Sequence, residues 1–219
     1  MIRKRQLDPR EITHLTIAGW TGRNKEAVEK HIRELEELGV PRPASTPIFY
    51  RVSAPLLTVA DRIEVMGGDS SGEIEPVVFM LDDVLWVGVG SDHTDRKAET
   101  IGVTLSKQLC AKPVSRTLWR YEDVADRWDS LELRSQIVID GSRRLYQQGT
   151  LANMRPPLEL IGLDRGSGGM PNGSAMFCGT LAVHGGIRPA PRFEMQLSDP
   201  SSDEVIAAAY ETISLPVRG

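Results

Sequence analysis

A chain of 219 residues with 40% hydrophobic but only 5% aromatic side chains can build one large, mainly aliphatic core or two small ones. Its 26 basic and 30 acidic residues leave a formal charge of −4, and no basic cluster follows the opening MIRKR, which argues against nucleic acid as a partner. No apolar run approaches the roughly 20 residues of a membrane span, MIRKR lacks the apolar continuation of a signal peptide, and Cys110 and Cys178 lack metal-ligand spacing, so reduced thiols in a cytoplasmic protein are expected.

The first element in chain order is a helix in NKEAVEKHIRELEELG. Asn24 can cap it, Glu26 lies in its first turn, and Gly39 followed by Pro41 ends it. Ala27, Val28, Ile32, Leu35 and Leu38 form its apolar stripe, and residues 41–47, PRPASTP, read as a loop. Short, partly alternating strands follow in IFYRV, RIEVMG, EIEPVVFML, LWVGVG, ELRSQIVID and RFEMQLSD. Asp82-Asp83 and Asp140-Gly141 sit between apolar runs as hairpin tips. Residues 96–109 and 201–213 are weaker helix candidates. The sum is a mainly β, α+β chain rather than a repeating βαβ one.

Four stretches carry chemistry. In SSGEIEP, Glu73 and Glu75 are two apart and share one face of a strand. Alone, the pair fits a solvated strand end as well as a cation site. In GSDHTDR, Asp92 stands where the next strand ends, and a hairpin at Asp82-Asp83 would bring it to the sheet end that carries the two glutamates. Three carboxylates without nitrogen or sulfur suit a hard cation such as Mg²⁺ or Mn²⁺. Read singly, Asp92 also fits an Asx turn and His93 a surface imidazole. His31 and Glu34 are helix neighbours, the arrangement of an oriented general base, though on these residues alone a buried histidine beside one more surface acid is the stronger reading. GGMPNGSAMFCGT suggests a strand that ends in a backbone N–H and a hydroxyl able to meet a substrate carboxylate; an ordinary strand behind a glycine-rich loop is the alternative.

The order of these pieces resembles the fumarylacetoacetate hydrolase superfamily. GRN and HIRE stand where that family has its Asn loop and His-x-x-Glu helix. FYR replaces Phe-x-Lys, and EIE, SDHTDR and SKQLCAKPV follow. LRSQIVIDGSRRLYQQGTLANM resembles the family hairpin, and FCGT its closing Gly-Thr. The likeness spans roughly residues 20–180 and is nearest to a bacterial branch defined as a domain of unknown function.

The resemblance implies a single domain over 1–219, with a lid and lead-in segment at 1–60 and a catalytic β core at 61–219. It implies a mixed sheet folded on itself into a sandwich-like roll, with an N-terminal lid helix, few peripheral helices and a homodimer. Glu73, Glu75 and Asp92 would be the metal ligands, for Mg²⁺ or Mn²⁺. His31, Glu34 and Lys107 would be catalytic, and Arg96, Arg51 and Thr180 would bind substrate. The implied activity is hydrolysis of a C–C bond in an acylpyruvate-type 2-oxo acid through a metal-stabilised enolate. Decarboxylation, tautomerisation or hydration on the same site, or non-catalytic binding of a metal and an oxo acid, stand as alternatives. This chain departs from the family pattern in a longer Asn24–His31 spacing, in Ser91 before the metal aspartate, in Arg51 for a lysine and in Leu181 for a proline.

Overall fold

The computed structural model describes residues 1–37, 39 and 42–218, without the side chains of His31 and Leu35. In chain order the strands are β1 (Lys4–Gln6), β2 (His14–Gly19), β3 (Ile48–Val52), β4 (Leu57–Thr58), β5 (Arg62–Met66), β6 (Ser70–Ser71), β7 (Ile74–Leu81) and β8 (Val84–Ser91). Then come β9 (Thr94–Asp95), β10 (Lys112–Pro113), β11 (Thr117–Arg120), β12 (Glu132–Ile139), β13 (Ser142–Thr150), β14 (Ser174–Phe177), β15 (Arg192–Asp199) and β16 (Glu204–Leu215). The α-helices are α1 (Lys25–Glu37), α2 (Arg96–Glu99), α3 (Val103–Gln108) and α4 (Pro157–Arg165).

Two open sheets face each other, with few helices at the periphery. The first runs β1-β11-β8-β7-β14-β2-β3 and the second β13-β12-β15-β16-β5. Val78, Val87, Val89 and Trp119 of the first sheet share one core with Leu133, Ile137, Phe193, Met195, Leu197 and Ile206 of the second. The other face of the first sheet is also covered: Ile17, Val77, Phe79 and Phe177 pack with Leu57, Val114 and Leu118. A strand buried on both faces has no polar side to show, which is why β7 is apolar from Pro76 to Leu81.

Local signals account for the entry points. Asn24 Oδ1 accepts the Ala27 N–H at 3.0 Å and caps α1, and Gly39 beyond its end takes a φ of 89°. Ile32 of the expected stripe is buried, Val28 half-buried and Ala27 exposed; Leu38 and Pro41 lie outside the described residues. Asp82 and Asp83 take φ of 53° and 58° and close the β7–β8 hairpin, and Asp140 and Gly141 do the same between β12 and β13. The helix expected over 96–109 forms as two pieces, α2 and α3, on either side of Gly102.

The helix expected over 201–213 does not form. Those residues lie mostly in β16, antiparallel to β15 and parallel to β5. Its inward positions are Ile206, Ala208 and Tyr210, while Val205, Ala207 and Glu211 point outward. The period is two, but alanines on both faces hide it. Pairing on both edges overrides the helical preference of alanine.

Pairing then sets the site. β7 and β8 align Ile74 with Ser91 and Glu75 with Gly90, and β14 aligns Phe177 with Val77. The start of β7, the end of β8 and the end of β14 therefore meet. The two-residue pairs β6–β9 and β4–β10 bring residues 70–71, 94–95 and 112–113 to the same region. No helix among the described residues is long and apolar enough to cross a membrane.

Leu197 is fully buried between the sheets. Leu197→Ala is expected to cost about 2–5 kcal/mol in urea denaturation, because the gap it leaves is walled by two stiff sheets.

Candidate metal centre

Glu73, Glu75 and Asp92 each offer a carboxylate oxygen, and these oxygens lie within 4.8 Å of one another. Glu75 sits in β7. Glu73 and Asp92 sit in the turns just before β7 and just after β8, joined by the Asp92 N–H donating to Glu73 O at 3.0 Å. Asp92 is fully buried and Glu75 nearly so, at 3% exposure.

Three gathered acids, two of them buried, repel unless cations lie among them. Lys107, projected by α3, donates to Asp92 Oδ2 and lies 3.9 Å from Glu73 Oε2. Lys112, in β10, is 3.0 Å from Asp92 Oδ1 and donates to His93 O at 2.5 Å. Arg96 reaches Glu73 Oε1 at 3.1 Å, Glu99 Oε2 at 3.0 Å and Ser71 Oγ at 2.7 Å. Glu75 Oε2 accepts the Gly179 N–H at 2.7 Å. Gly179 must be glycine: its φ is 103°, and a Cβ there would lie 1.8 Å from Thr21 Oγ1.

Burial alone would raise the Asp92 pKa, but Lys107 and Lys112 outweigh it and hold the group at about 2. Burial likewise opposes charge on Lys107, and Asp92, Glu73 and Glu75 overcome it, keeping the ammonium protonated well above its usual range. Burial, with the Lys107 charge behind it, pulls Lys112 below its ordinary value against the attraction of Asp92. Glu75 is pushed well above the usual carboxylate range by burial and by the Asp92 charge, with Lys107 opposing.

The donor set suits a hard divalent cation, since it is all oxygen. Asp92 Oδ1 adds to that fit: it is buried, and the Lys112 ammonium stands 3.0 Å from it. Glu73, Glu75 and Asp92 are the residues that could hold such an ion.

The expected residues divide. Glu73, Glu75, Asp92, Lys107 and Arg96 come together. Thr180 lies next to Gly179, but its hydroxyl donates to Ile74 O at 2.7 Å and accepts from Gln147 Nε2 at 2.7 Å, so it fixes the start of β7. Arg51 is not brought to the carboxylates. It donates to Leu15 O at 2.8 Å and Thr13 O at 3.2 Å, toward the opposite end of β2, because its strand position directs it there. Glu34 is on an exposed part of α1, 3.8 Å from Lys30 Nζ; the His31 side chain lies outside the described residues. His93 is not a surface imidazole. It is buried, with Nδ1 2.8 Å from Tyr210 Oη and Nε2 2.8 Å from Ser70 Oγ, and burial drops its pKa to about 3, with the Lys112 and Arg96 charges adding to the effect.

Lys112, Glu99 and Tyr50 join the site without having been singled out. Lys112 lies in the quoted SKQLCAKPV, where the only signal is a lysine set among apolar neighbours. Glu99 is three residues beyond Arg96 on one helical turn. Tyr50 is buried and places its ring 5.8 Å from Lys107 Nζ.

Residues 18–210 match the family model DUF2848, described as a protein of unknown function, and the chain belongs to that family. No curated protein matches the sequence. Among solved structures the chain is similar to yeast ynq8, a fumarylacetoacetate hydrolase family protein, with a TM-score of 0.66 and 17% identity, covering 96% of each chain. It is similar to 2-keto-3-deoxy-D-arabinonate dehydratase complexed with magnesium and 2,5-dioxopentanoate, with a TM-score of 0.64 and 15% identity over 94% of this chain and 75% of that one. It is also similar to 5-carboxymethyl-2-hydroxymuconate delta-isomerase from Mycobacterium smegmatis, with a TM-score of 0.65 and 12% identity over 94% and 78%. At these identities the likeness establishes a fumarylacetoacetate hydrolase-like fold.

In chelator-treated protein, Asp92→Asn is expected to cost about 3–5 kcal/mol in urea denaturation, since it removes the carboxylate from buried Lys112 and leaves buried Lys107 with Glu73 at 3.9 Å. Glu75→Gln should leave stability nearly unchanged, because glutamine keeps the acceptor for Gly179 N–H and removes a charge that burial disfavours.

Proposed function

We propose that the chain is a divalent-metal-dependent enzyme acting on a small 2-oxo acid, with Glu73, Glu75 and Asp92 holding Mg²⁺ or Mn²⁺. The observation that carries this reading is the meeting of the three carboxylates, with one oxygen of each within 4.8 Å of the others, beside a protonated Lys107. A cation bound there supplies a Lewis acid for the carboxylate and keto oxygens of a 2-oxo acid.

The remaining work belongs to the chain. Lys107 stabilises negative charge that develops on the keto oxygen, as a fixed cation in a dry site does. Arg96 holds Glu73, and the Gly179 N–H holds Glu75. Both carboxylates thus keep their orientation while the substrate changes charge. Thr180 contributes by anchoring the segment that a substrate carboxylate would approach.

Within this class we favour loss or addition of water, tautomerisation or decarboxylation over hydrolytic C–C cleavage. Each needs charge stabilised at the keto oxygen, which Lys107 offers. Hydrolysis also needs a base to activate water, a role for His31 oriented by Glu34 with α1 as a lid. Support also comes from the similar proteins named a dehydratase, which carries magnesium and 2,5-dioxopentanoate, and a delta-isomerase.

The test follows proton NMR in D₂O, with 2-oxo acids and Mg²⁺ or Mn²⁺, for loss of protons at C3 and for turnover. Metal-dependent exchange is expected, reduced about 10²–10³-fold in Lys107→Met and unchanged in His31→Gln. Cleavage of acylpyruvates that disappears in His31→Gln would restore the hydrolase reading. No exchange with any 2-oxo acid would overturn the assignment.

A further inference from the structure

We propose that Tyr210 is a positioning residue of the metal centre, acting from the opposite sheet through Ser91 and His93. The proposal rests on the metal reading above.

Glu73 and Asp92 stand on turns outside the β7–β8 ladder, and the β6–β9 pair beside them is only two residues long. Ligands carried on turns need an outside hold if they are to keep their geometry. The C-terminal strand β16 provides one. Tyr210 Oη lies 2.8 Å from Ser91 Oγ and 2.8 Å from His93 Nδ1. Ser91 Oγ in turn accepts the Glu73 N–H at 3.2 Å, and His93 Nε2 lies 2.8 Å from Ser70 Oγ. The His93 carbonyl accepts from Lys112, the lysine beside Asp92 Oδ1. One hydroxyl therefore ties both ligand-bearing turns to the second sheet.

The proton arrangement is self-consistent in either direction. If Ser91 donates to Tyr210, Tyr210 donates to His93 Nδ1 and the Nε2–H donates to Ser70. Reversed, Ser70 donates to Nε2, the Nδ1–H donates to Tyr210 and Tyr210 donates to Ser91. Each direction needs one neutral imidazole and leaves no member of the chain unpaired.

Packing is built for this approach. Gly72 precedes Glu73, and a Cβ on it would lie 2.7 Å from Tyr210 Oη and from the Phe193 ring. The Tyr210 ring packs against Phe193 at 5.6 Å and against the His93 edge at 5.6 Å. If Tyr210 were only an aromatic filler, phenylalanine would serve as well. The hydroxyl separates the two roles.

The experiment compares full-length wild type, Tyr210→Phe, Ser91→Ala and Tyr146→Phe. Tyr146 is a buried tyrosine of the same core, whose hydroxyl accepts from Arg188 N at 3.2 Å, outside the ligand turns. Mn²⁺ affinity is read by electron paramagnetic resonance with oxalate present, folding by Tm, and His93 by imidazole ¹⁵N shifts. Tyr210→Phe should stay folded, bind Mn²⁺ about 10–100-fold more weakly, and shift the His93 Nδ1 signal, which loses its hydroxyl partner. Ser91→Ala should weaken binding too and carries the test if Tyr210→Phe does not fold. Tyr146→Phe should bind as wild type. Wild-type affinity in Tyr210→Phe or in Ser91→Ala, or equal weakening in Tyr146→Phe, would overturn the positioning role alone. A wild type that binds no Mn²⁺ would bring down the metal reading and this proposal with it.

Discussion

Asp92 is a full negative charge with no access to solvent, and much of the molecule is arranged around that fact. Taking a carboxylate out of water costs several kcal/mol unless cations and donors replace the water. Here the replacements arrive from separate parts of the chain. α3 delivers Lys107 and the short β10 strand delivers Lys112. The break at Gly102 has a purpose in this light. A single straight helix over 96–109 would not let Arg96 serve Glu73 while Lys107 serves Asp92.

The same constraint explains why the site is compact and partly neutral by itself. Lys107, Lys112 and Arg96 face Glu73 and Asp92 across ion-pair distances, and Glu75 is held by the Gly179 N–H. The carboxylates are therefore gathered by the chain's own cations rather than by an ion alone. Those cations also bring positive charge to the place where an oxo acid would carry its negative charge. Behind this layer, the hydroxyls of Ser91, Tyr210 and Ser70 and the His93 ring join the site to the second sheet, so packing between sheets reaches the carboxylates through directional bonds.

Much of this arrangement was legible along the chain wherever the signal was local. Asp82-Asp83 marked the hairpin, and once the hairpin is drawn, Glu73, Glu75 and Asp92 must share one sheet end. Asn24 and Gly39 marked the limits of α1. Other features have no local trace. β16 hides its alternation behind alanines, and only its neighbours β15 and β5 decide that it is a strand. Lys112 looks like any lysine until β4 pairs with its strand and buries it. Arg51 sits at a family lysine position, yet its strand register sends it to the carbonyls of β2. Tyr210 is more than a hundred residues from the turns it holds, and no spacing rule spans that distance. The His93 imidazole looked like surface because GSDHTDR is polar, whereas four of its polar side chains, Ser91, Asp92, Thr94 and Asp95, are themselves buried and mutually satisfied or ion-paired.

We propose Glu73, Glu75 and Asp92 as a cation site that takes an oxo acid. The most direct measurement is anomalous diffraction at the manganese edge from crystals grown with Mn²⁺ and oxalate. One strong peak is expected within about 2.0–2.3 Å of an oxygen from each of the three carboxylates, with oxalate completing the coordination. Carboxylates still held only by Lys107, Lys112 and Arg96, with no manganese between them, would contradict it and leave the cluster as a buried ion-pair network.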